Sequence, residues 1–198
     1  MQVKNKEYGI NIIKILWSVL LGVGIVYANS LSFDKTLSLQ GITFHVTTIG
    51  EASLRQLSII PSGLSGVNDS IHQEIDGEVV DAEVADLNQD GFPEIYIYIA
   101  SSGSGSYGSL VAYSSNGNKS MTAIYLPELT DDKKNSIGYM GHDMFFIIDN
   151  KLSRRFPIYK DEDSNVHASG GMRQLSYALH SGEAGWVLKL LHSTELKK

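Results

Sequence analysis

The chain contains no cysteine and only four prolines in 198 residues. Without cysteine there is no disulfide framework, thiolate metal site, thiol nucleophile or lipidated cysteine. The protein must therefore be stabilised by its hydrophobic core alone. Long hydrophobic runs are also scarce. The one present, residues 15–26 (ILWSVLLGVGIV), is too short to span a bilayer comfortably.

The N-terminus has the pattern of a secretory signal peptide. Three lysines precede the hydrophobic run, and small residues at Val26 and Ala28 occupy the usual cleavage positions. We therefore predict a signal peptide at residues 1–28 and a mature exported domain at residues 29–198. An uncleaved membrane anchor is the alternative.

Positive charge is in short supply after the signal segment. The formal net charge is −6, and residues 1–28 carry three lysines and one glutamate, a net +2, which leaves −8 for the mature chain. An acidic exported domain repels nucleic acid and anionic membrane surfaces. The same charge attracts a cationic partner and speeds the encounter.

Short segments of alternating apolar and polar residues dominate the mature chain. Eight or more of them recur at about ten-residue spacing with turn residues between them, which is typical of an all-β domain. Asn116-Gly117 lies between two segments and is a strong hairpin signal. We predict a single domain, an antiparallel β-sandwich or flattened barrel of about eight strands, with one helical turn at residues 127–134. The predicted strands include residues 43–47, 57–60, 79–84, 94–100, 109–113, 121–126, 144–148, 154–159, 172–179 and 184–191.

Residues 101–113 (SSGSGSYGSLVAY) contain the spacing G-x-G-x-x-G at Gly103, Gly105 and Gly108. That spacing forms a dinucleotide site only when a helix begins directly after the glycines and binds the pyrophosphate at its N-terminus. Here another strand-like segment follows, and no helix of useful length fits before the Asn-Gly turn. The sequence therefore predicts a small-residue hairpin loop that presents serine hydroxyls and Tyr107. The plainer interpretation of that loop is a solvated turn.

Residues 86–91 (DLNQDG) match the first half of a calcium-binding loop. An EF-hand needs a bidentate acid at its twelfth position, which here is Ile97 inside a predicted strand. A looser loop would use four residues, Asp86, Asn88, Asp90 and Glu94. The sequence favours an Asx-type turn instead, because it identifies too few ligands for a hard cation, so no metal or cofactor is assigned. A calcium-stabilised domain for carbohydrate binding or adhesion remains the alternative function.

Groups for catalysis are sparse. None of the six histidines lies two or four residues from another. Ser104, His142 and Asp143 have the residue types of a serine triad, but adjacent residues on an extended chain point to opposite faces and do not orient one another. Arg154-Arg155 is interpreted as a satisfied pair at a strand edge rather than an anion site. We therefore do not expect an enzyme.

Four ordered motifs run along the mature chain: residues 86–94 (DLNQDGFPE), 102–108 (SGSGSYG), 138–143 (GYMGHD) and 154–159 (RRFPIY). Together they resemble the periplasmic inhibitors of invertebrate-type (I-type) lysozyme. The hallmark of that family, S-G-x-x-x-Y, is intact at residues 102–107 (SGSGSY). Similarity continues through residues 170–174 (GGMRQ) and 182–186 (GEAGW), so it covers nearly all of the mature chain.

The resemblance implies a β-sandwich protein in the periplasm of a Gram-negative bacterium. It also implies that this protein inhibits lysozyme by inserting the loop that carries the motif, residues 102–107, into the active-site cleft of the enzyme. A lysozyme cleft holds two carboxyl groups, and neutral hydroxyls would donate charge-assisted hydrogen bonds to them. We expect Ser104 and Tyr107 to be the main contacts. An exposed sheet edge is compatible with a homodimer. The other expected contacts are Ser102, Gly103, Gly105 and Ser106, with Tyr139 and His142 in a second loop.

Overall fold

The computed structural model describes residues 31–51, 53–183 and 185–197, so the predicted signal peptide lies outside the described residues. The described chain forms twelve strands and one 3-10 helix, Leu129–Asp131, inside the region of the predicted helical turn. The all-β prediction is confirmed. Within these ranges no helix has the length and apolar character to cross a membrane. The strands are β1 (Leu31–Leu39), β2 (Ile42–Ile49), β3 (Leu54–Ser62), β4 (Ile71–Asp76), β5 (Glu78–Ala85), β6 (Glu94–Ala100), β7 (Gly108–Ser114), β8 (Thr122–Tyr125), β9 (Met144–Ile148), β10 (Lys151–Pro157), β11 (Met172–Ser181) and β12 (Trp186–Leu196).

The first four strands form an antiparallel sheet in the order β1-β2-β3-β4. Gln40 and Gly41 join β1 to β2 with positive φ angles of 52° and 81°, a conformation suited to a tight hairpin. The sequence predicted segments of β2 and β3 but missed β1 and β4. A polar residue stands at one apolar position of each missed strand, Lys35 in β1 and Gln73 in β4, which hides the alternation.

The other eight strands form one sheet in the order β5-β6-β7-β8-β12-β11-β10-β9. Neighbours are antiparallel, as predicted, except for β8 and β12, where Ile124 lies opposite Trp186 in parallel. The chain leaves β8, crosses over through residues 126–143, and returns to β8 by way of β9, β10, β11 and β12. A parallel pair needs such a long connection, and hydrophobic periodicity carries no information about it.

Glu83 on β5 brings the two ends of the eight-stranded sheet together. Its Oε2 accepts the Tyr98 O–H at 2.6 Å and the Ile147 N–H of β9 at 2.9 Å. The rings of Tyr98 and Phe145 stack with centroids 5.8 Å apart. The sheet is therefore nearly closed into a flattened barrel, against which the four-stranded sheet packs.

Strand β6 is buried on both faces because it lies between two cores. Ile95, Ile97 and Ile99 pack toward the four-stranded sheet, whereas Tyr96 and Tyr98 point into the barrel. Burying an aliphatic or aromatic side chain contributes about 1.5–3 kcal/mol, so β6 is a main source of stability. Its partners in the first core include Ile42, Phe44, Val46, Leu57 and Ile59, and in the second Leu152, Phe156, Leu175 and Leu188.

Candidate functional site

The motif loop, residues 101–107, joins β6 to β7. Two hydrogen bonds close its base, from the Ser101 N–H to the Tyr107 carbonyl and from the Tyr107 N–H to Ser101 Oγ, both 2.9 Å. Within it, the Ser106 N–H donates to the Gly103 carbonyl at 3.0 Å. The hairpin predicted between the two strand segments is present, and the loop has its own internal hydrogen bonds.

The end of the motif loop is open to solvent. Ser102, Gly103 and Ser104 are exposed, Gly105 is buried, and Tyr107 is 49% exposed. Within the described residues, neither the Ser102 nor the Ser104 hydroxyl has a hydrogen-bond partner. A methyl group on Gly103 would meet no atom within 4 Å, so the fold itself leaves this position unconstrained. The loop thus presents two free hydroxyls and one face of a tyrosine ring.

A second loop, residues 138–143, supports the motif loop from one side. The His142 N–H donates to the Gly105 carbonyl at 2.6 Å. Gly141 has a φ of 88°, and a methyl group there would collide with the Gly105 carbonyl oxygen. A methyl group on Gly105 would in turn collide with the Tyr107 ring. Glycine at position 141 is therefore required for the two loops to touch, and glycine at position 105 leaves room for the Tyr107 ring.

A third segment supports the motif loop from residues 160–171. Asn165 Nδ2 donates to the Ser104 carbonyl at 3.0 Å, and the Asn165 carbonyl accepts the Tyr159 O–H at 3.0 Å. The His142 ring lies 6.2 Å from the Tyr159 ring. The backbone that carries the Ser104 hydroxyl is thus held without using that hydroxyl.

A buried ion pair anchors the base of the motif loop. The Asp143 side chain is fully buried and accepts Arg154 Nε at 2.7 Å, while the Arg154 side chain is only 6% exposed. Asp143 also accepts the Tyr139 O–H at 2.6 Å and the Gly108 N–H at 2.7 Å. The sequence interpretation of Arg154 as satisfied agrees with this, but the partner was missed. The only signals were an arginine inside an apolar strand and an aspartate just before the neighbouring one.

A series of aromatic contacts connects the Asp143–Arg154 ion pair to the Tyr107 ring. The Tyr107 and Tyr139 rings meet edge to face with centroids 5.6 Å apart, and Tyr139 meets Phe156 in the same way at 4.8 Å. Arg154 Cζ lies 5.2 Å from the centre of the Tyr139 ring. Burial, reinforced by the hydrogen bond to Asp143, raises the pKa of Tyr139, so its phenol remains a neutral donor. In the folded chain Tyr139 therefore contacts Asp143, Arg154 and Phe156, and it helps to orient the Tyr107 ring.

Ser104, His142 and Asp143 have the residue types of a serine triad, but they do not form the hydrogen bonds of one. The Asp143 oxygens are taken by Arg154, Tyr139 and Gly108. His142 Nε2 is buried and has no hydrogen-bond partner among the described residues. The imidazole is thus not oriented by a carboxylate in the way that a general base requires.

A cleft of about 400 Å³ opens beside the motif loop. Its lining includes Tyr107, Tyr139 and Arg154, together with the exposed acids Asp76 and Glu128. The free carboxylates make this side of the loop suited to a basic surface.

The calcium-like segment lies at the opposite end of β6, about 20 Å from the motif loop along a seven-residue strand. Asp90 accepts the Phe92 N–H at 2.9 Å and Asn88 accepts the Asp90 N–H at 3.3 Å, each two residues on, which are the bonds of an Asx-type turn. Asp86 accepts the N–H groups of Asp90 at 3.0 Å and Gly91 at 2.9 Å and closes the loop over a longer span. Glu94 is fully buried beside them. Burial, followed by the nearby charges of Asp86 and Asp90, raises the pKa of Glu94 to about 8.

Comparisons with known proteins add no functional information. No family model matches the chain, and no curated protein matches it. The functional interpretation therefore depends on the motifs and on the geometry of the motif loop: an exposed, small-residue hairpin braced by two neighbouring segments and a buried ion pair.

Proposed function

We propose that the protein is an inhibitor of lysozyme, with the I-type enzyme preferred, and that it inserts residues 102–107 into the active-site cleft. The observation that carries this proposal is the exposed motif loop with free hydroxyls on Ser102 and Ser104 and a backbone held by Gly105, His142 and Asn165. A loop held in one conformation loses little freedom on binding, which favours affinity.

The chemistry of the loop suits a cleft lined by carboxyl groups. Serine and tyrosine hydroxyls are neutral donors, so they bind carboxylates without bringing in more negative charge. Ser104 and Tyr107 are the main contacts in this proposal, and Ser102 and Ser106 support them. The half-exposed Tyr107 ring would pack where a sugar normally stacks, a position typical of interface hot spots.

Charge supports the choice of a cationic partner. The chain after residue 28 carries −8, and Asp76 and Glu128 line the cleft beside the motif loop. Complementary charge raises the association rate and makes it fall with added salt. In this proposal the protein is exported to the periplasm by residues 1–28 and protects the bacterial cell wall from host lysozyme. It acts by occupying the cleft rather than as an enzyme.

The proposal is tested by the lysis of a bacterial cell-wall suspension, followed as turbidity, with I-type, chicken-type and goose-type lysozymes. We expect inhibition of the I-type enzyme by the purified protein. Ser104→Ala and Tyr107→Phe should each raise the inhibition constant about tenfold, since each removes a hot-spot hydroxyl. The matched control is Ser70→Ala, which changes an exposed residue just before β4.

Gly103→Ala separates binding from folding. The added methyl group meets nothing within 4 Å in the fold, so the melting temperature should stay unchanged while the thicker loop weakens inhibition. Absence of inhibition with all three lysozymes at micromolar protein would refute the proposed function. Inhibition that is equal in the loop variants and the control would refute the assignment of the loop.

A further inference from the structure

The loop between β5 and β6 concentrates three carboxylates around one point. Side-chain oxygens of Asp86, Asp90 and Glu94 all lie within 4.8 Å of one another. Asp86 and Asp90 come from the loop, and Glu94 is the first residue of β6. Three acids this close repel one another unless a cation or protons lie between them.

Glu94 distinguishes this group from an ordinary exposed acidic cluster. Its side chain is fully buried, and Oε1 has no hydrogen-bond partner among the described residues. Its carboxylate faces the loop, because Oε2 accepts the Leu87 N–H at 2.8 Å, with the Tyr96 O–H at 3.4 Å. A buried carboxylate oxygen without a partner is costly. An oxygen of this kind beside two other carboxylates is what a bound cation would satisfy.

The loop is also shaped before any ion binds. Asp86 accepts two backbone N–H groups, and Asp90 accepts the Phe92 N–H at 2.9 Å. Gln89 and Gly91 have φ angles of 58° and 85°, which turn the chain sharply around these carboxylates. Each carboxylate has about four lone-pair sites, so accepting N–H groups leaves room for a metal ligand.

We propose that Asp86, Asp90 and Glu94 form a calcium-binding site. Three carboxylates whose oxygens lie within 4.8 Å of one another can reach a single cation. Ca²⁺ takes about six to eight oxygen ligands in a flexible geometry, whereas Mg²⁺ demands a near-ideal octahedron and holds its own water tightly, so an irregular loop of carboxylates favours Ca²⁺. Water would complete the coordination shell.

Calcium here would stabilise the fold without touching a partner at the motif loop. The site lies at the start of β6, and the motif loop follows the other end of the same strand. The ion would offset the repulsion among three acids and fasten the β5–β6 connection. The inference is independent of the proposed inhibition of lysozyme, since ion binding and inhibition are measured separately.

The test is thermal unfolding together with calorimetric titration of the purified, chelator-treated protein. We expect one Ca²⁺ per chain and a melting temperature raised by about 5–10 °C at a Ca²⁺ concentration of about one hundred times the dissociation constant. Mg²⁺ at the same concentration should give a clearly smaller shift. A melting temperature that does not respond to Ca²⁺, without heat of binding, overturns the site. An equal response to Mg²⁺ overturns the assignment to calcium.

Two variants and one control locate the ion. Glu94→Gln keeps the shape of the side chain but removes the carboxylate that the ion would bind, so it should abolish the shift in melting temperature with Ca²⁺. Asp90→Asn changes an exposed residue and should reduce calcium affinity at least tenfold in a folded protein. Asp149→Asn, at an exposed turn with a φ of 51°, should behave like the unaltered chain. Full calcium affinity in Asp90→Asn would overturn the proposed ligand set even if Glu94→Gln failed to fold.

Discussion

Asp143 determines where the motif loop sits, although it is not part of that loop. It lies at the start of β9 and binds Arg154 on the neighbouring strand β10. The same carboxylate accepts the Gly108 N–H, directly after the last residue of the motif loop. One buried charge pair therefore ties together the base of the motif loop, the second loop and the wall of the barrel.

Replacing Asp143 with Asn should lower the free energy of unfolding by about 3 kcal/mol or more. Arg154 would then be a buried charge without an ionised partner, and breaking a buried pair from one side is strongly destabilising. Urea unfolding measures the change. The control is Asp81→Asn, whose ion pair with Lys35 is exposed, with side chains 55% and 37% accessible. That change should cost less than about 1 kcal/mol, and equal losses in the two variants would contradict the role of Asp143.

At the scale of the strands, β6 organises the molecule. Its run of apolar residues predicted a strand, and its burial on both faces explains why that run does not alternate with polar residues. The Tyr98 hydroxyl of β6 donates to the same Glu83 oxygen that accepts the Ile147 N–H of β9, so β6 also takes part in closing the barrel. Closure therefore depends on a polar contact between two strands that have no backbone ladder between them.

Glu83→Ala should open this closure. The Tyr98 O–H and the Ile147 N–H would lose their acceptor, at a cost of about 1–3 kcal/mol. Hydrogen exchange at the Ile147 amide should become faster than at the other amides of β9. Glu74→Ala, an exposed acid on β4, is the control and should leave exchange at Ile147 unchanged. Unaltered protection of Ile147 in Glu83→Ala would show that the barrel closes by other contacts.

At the scale of the whole molecule, buried tyrosines set the highest pH at which the folded protein keeps its full stability. Burial is the largest cause of the raised pKa values of Tyr96, Tyr98 and Tyr139, and it raises that of Tyr177 to about 12. In the unfolded chain these phenols ionise near pH 10. Because the raised pKa favours the neutral form in the folded state, the stability is complete below about pH 10 and falls as the pH rises above it.

Alkaline titration checks this expectation. Phenolate absorbance of the buried Tyr96, Tyr98 and Tyr177 should appear together with the loss of β-sheet circular dichroism, above about pH 10, because these side chains ionise when the protein unfolds. If all the phenols titrated near pH 10 while the circular dichroism stayed intact, the buried environment would not control their ionisation.

The local structure of this protein could be predicted from sequence. Alternating segments predicted most of the strands, and Asn116-Gly117 marked the β7–β8 hairpin, where both residues have positive φ angles. The glycine pattern of the motif loop could be distinguished from that of a dinucleotide-binding site, because no helix follows the glycines. These features depend on residues close together in the chain, whose backbone preferences and periodicity act locally.

Other features were decided only by the tertiary structure. The parallel contact of β8 with β12, the Asp143–Arg154 pair and the unpartnered oxygen of Glu94 all depend on which strands lie side by side and what they bury. A charge's partner and its loss of solvent are properties of the packed interior, and no local pattern encodes them. The sequence by itself determined an acidic all-β chain with a serine- and tyrosine-bearing hairpin. Packing decided what braces this hairpin, because its supports, His142 and Asn165, come from segments distant in the chain.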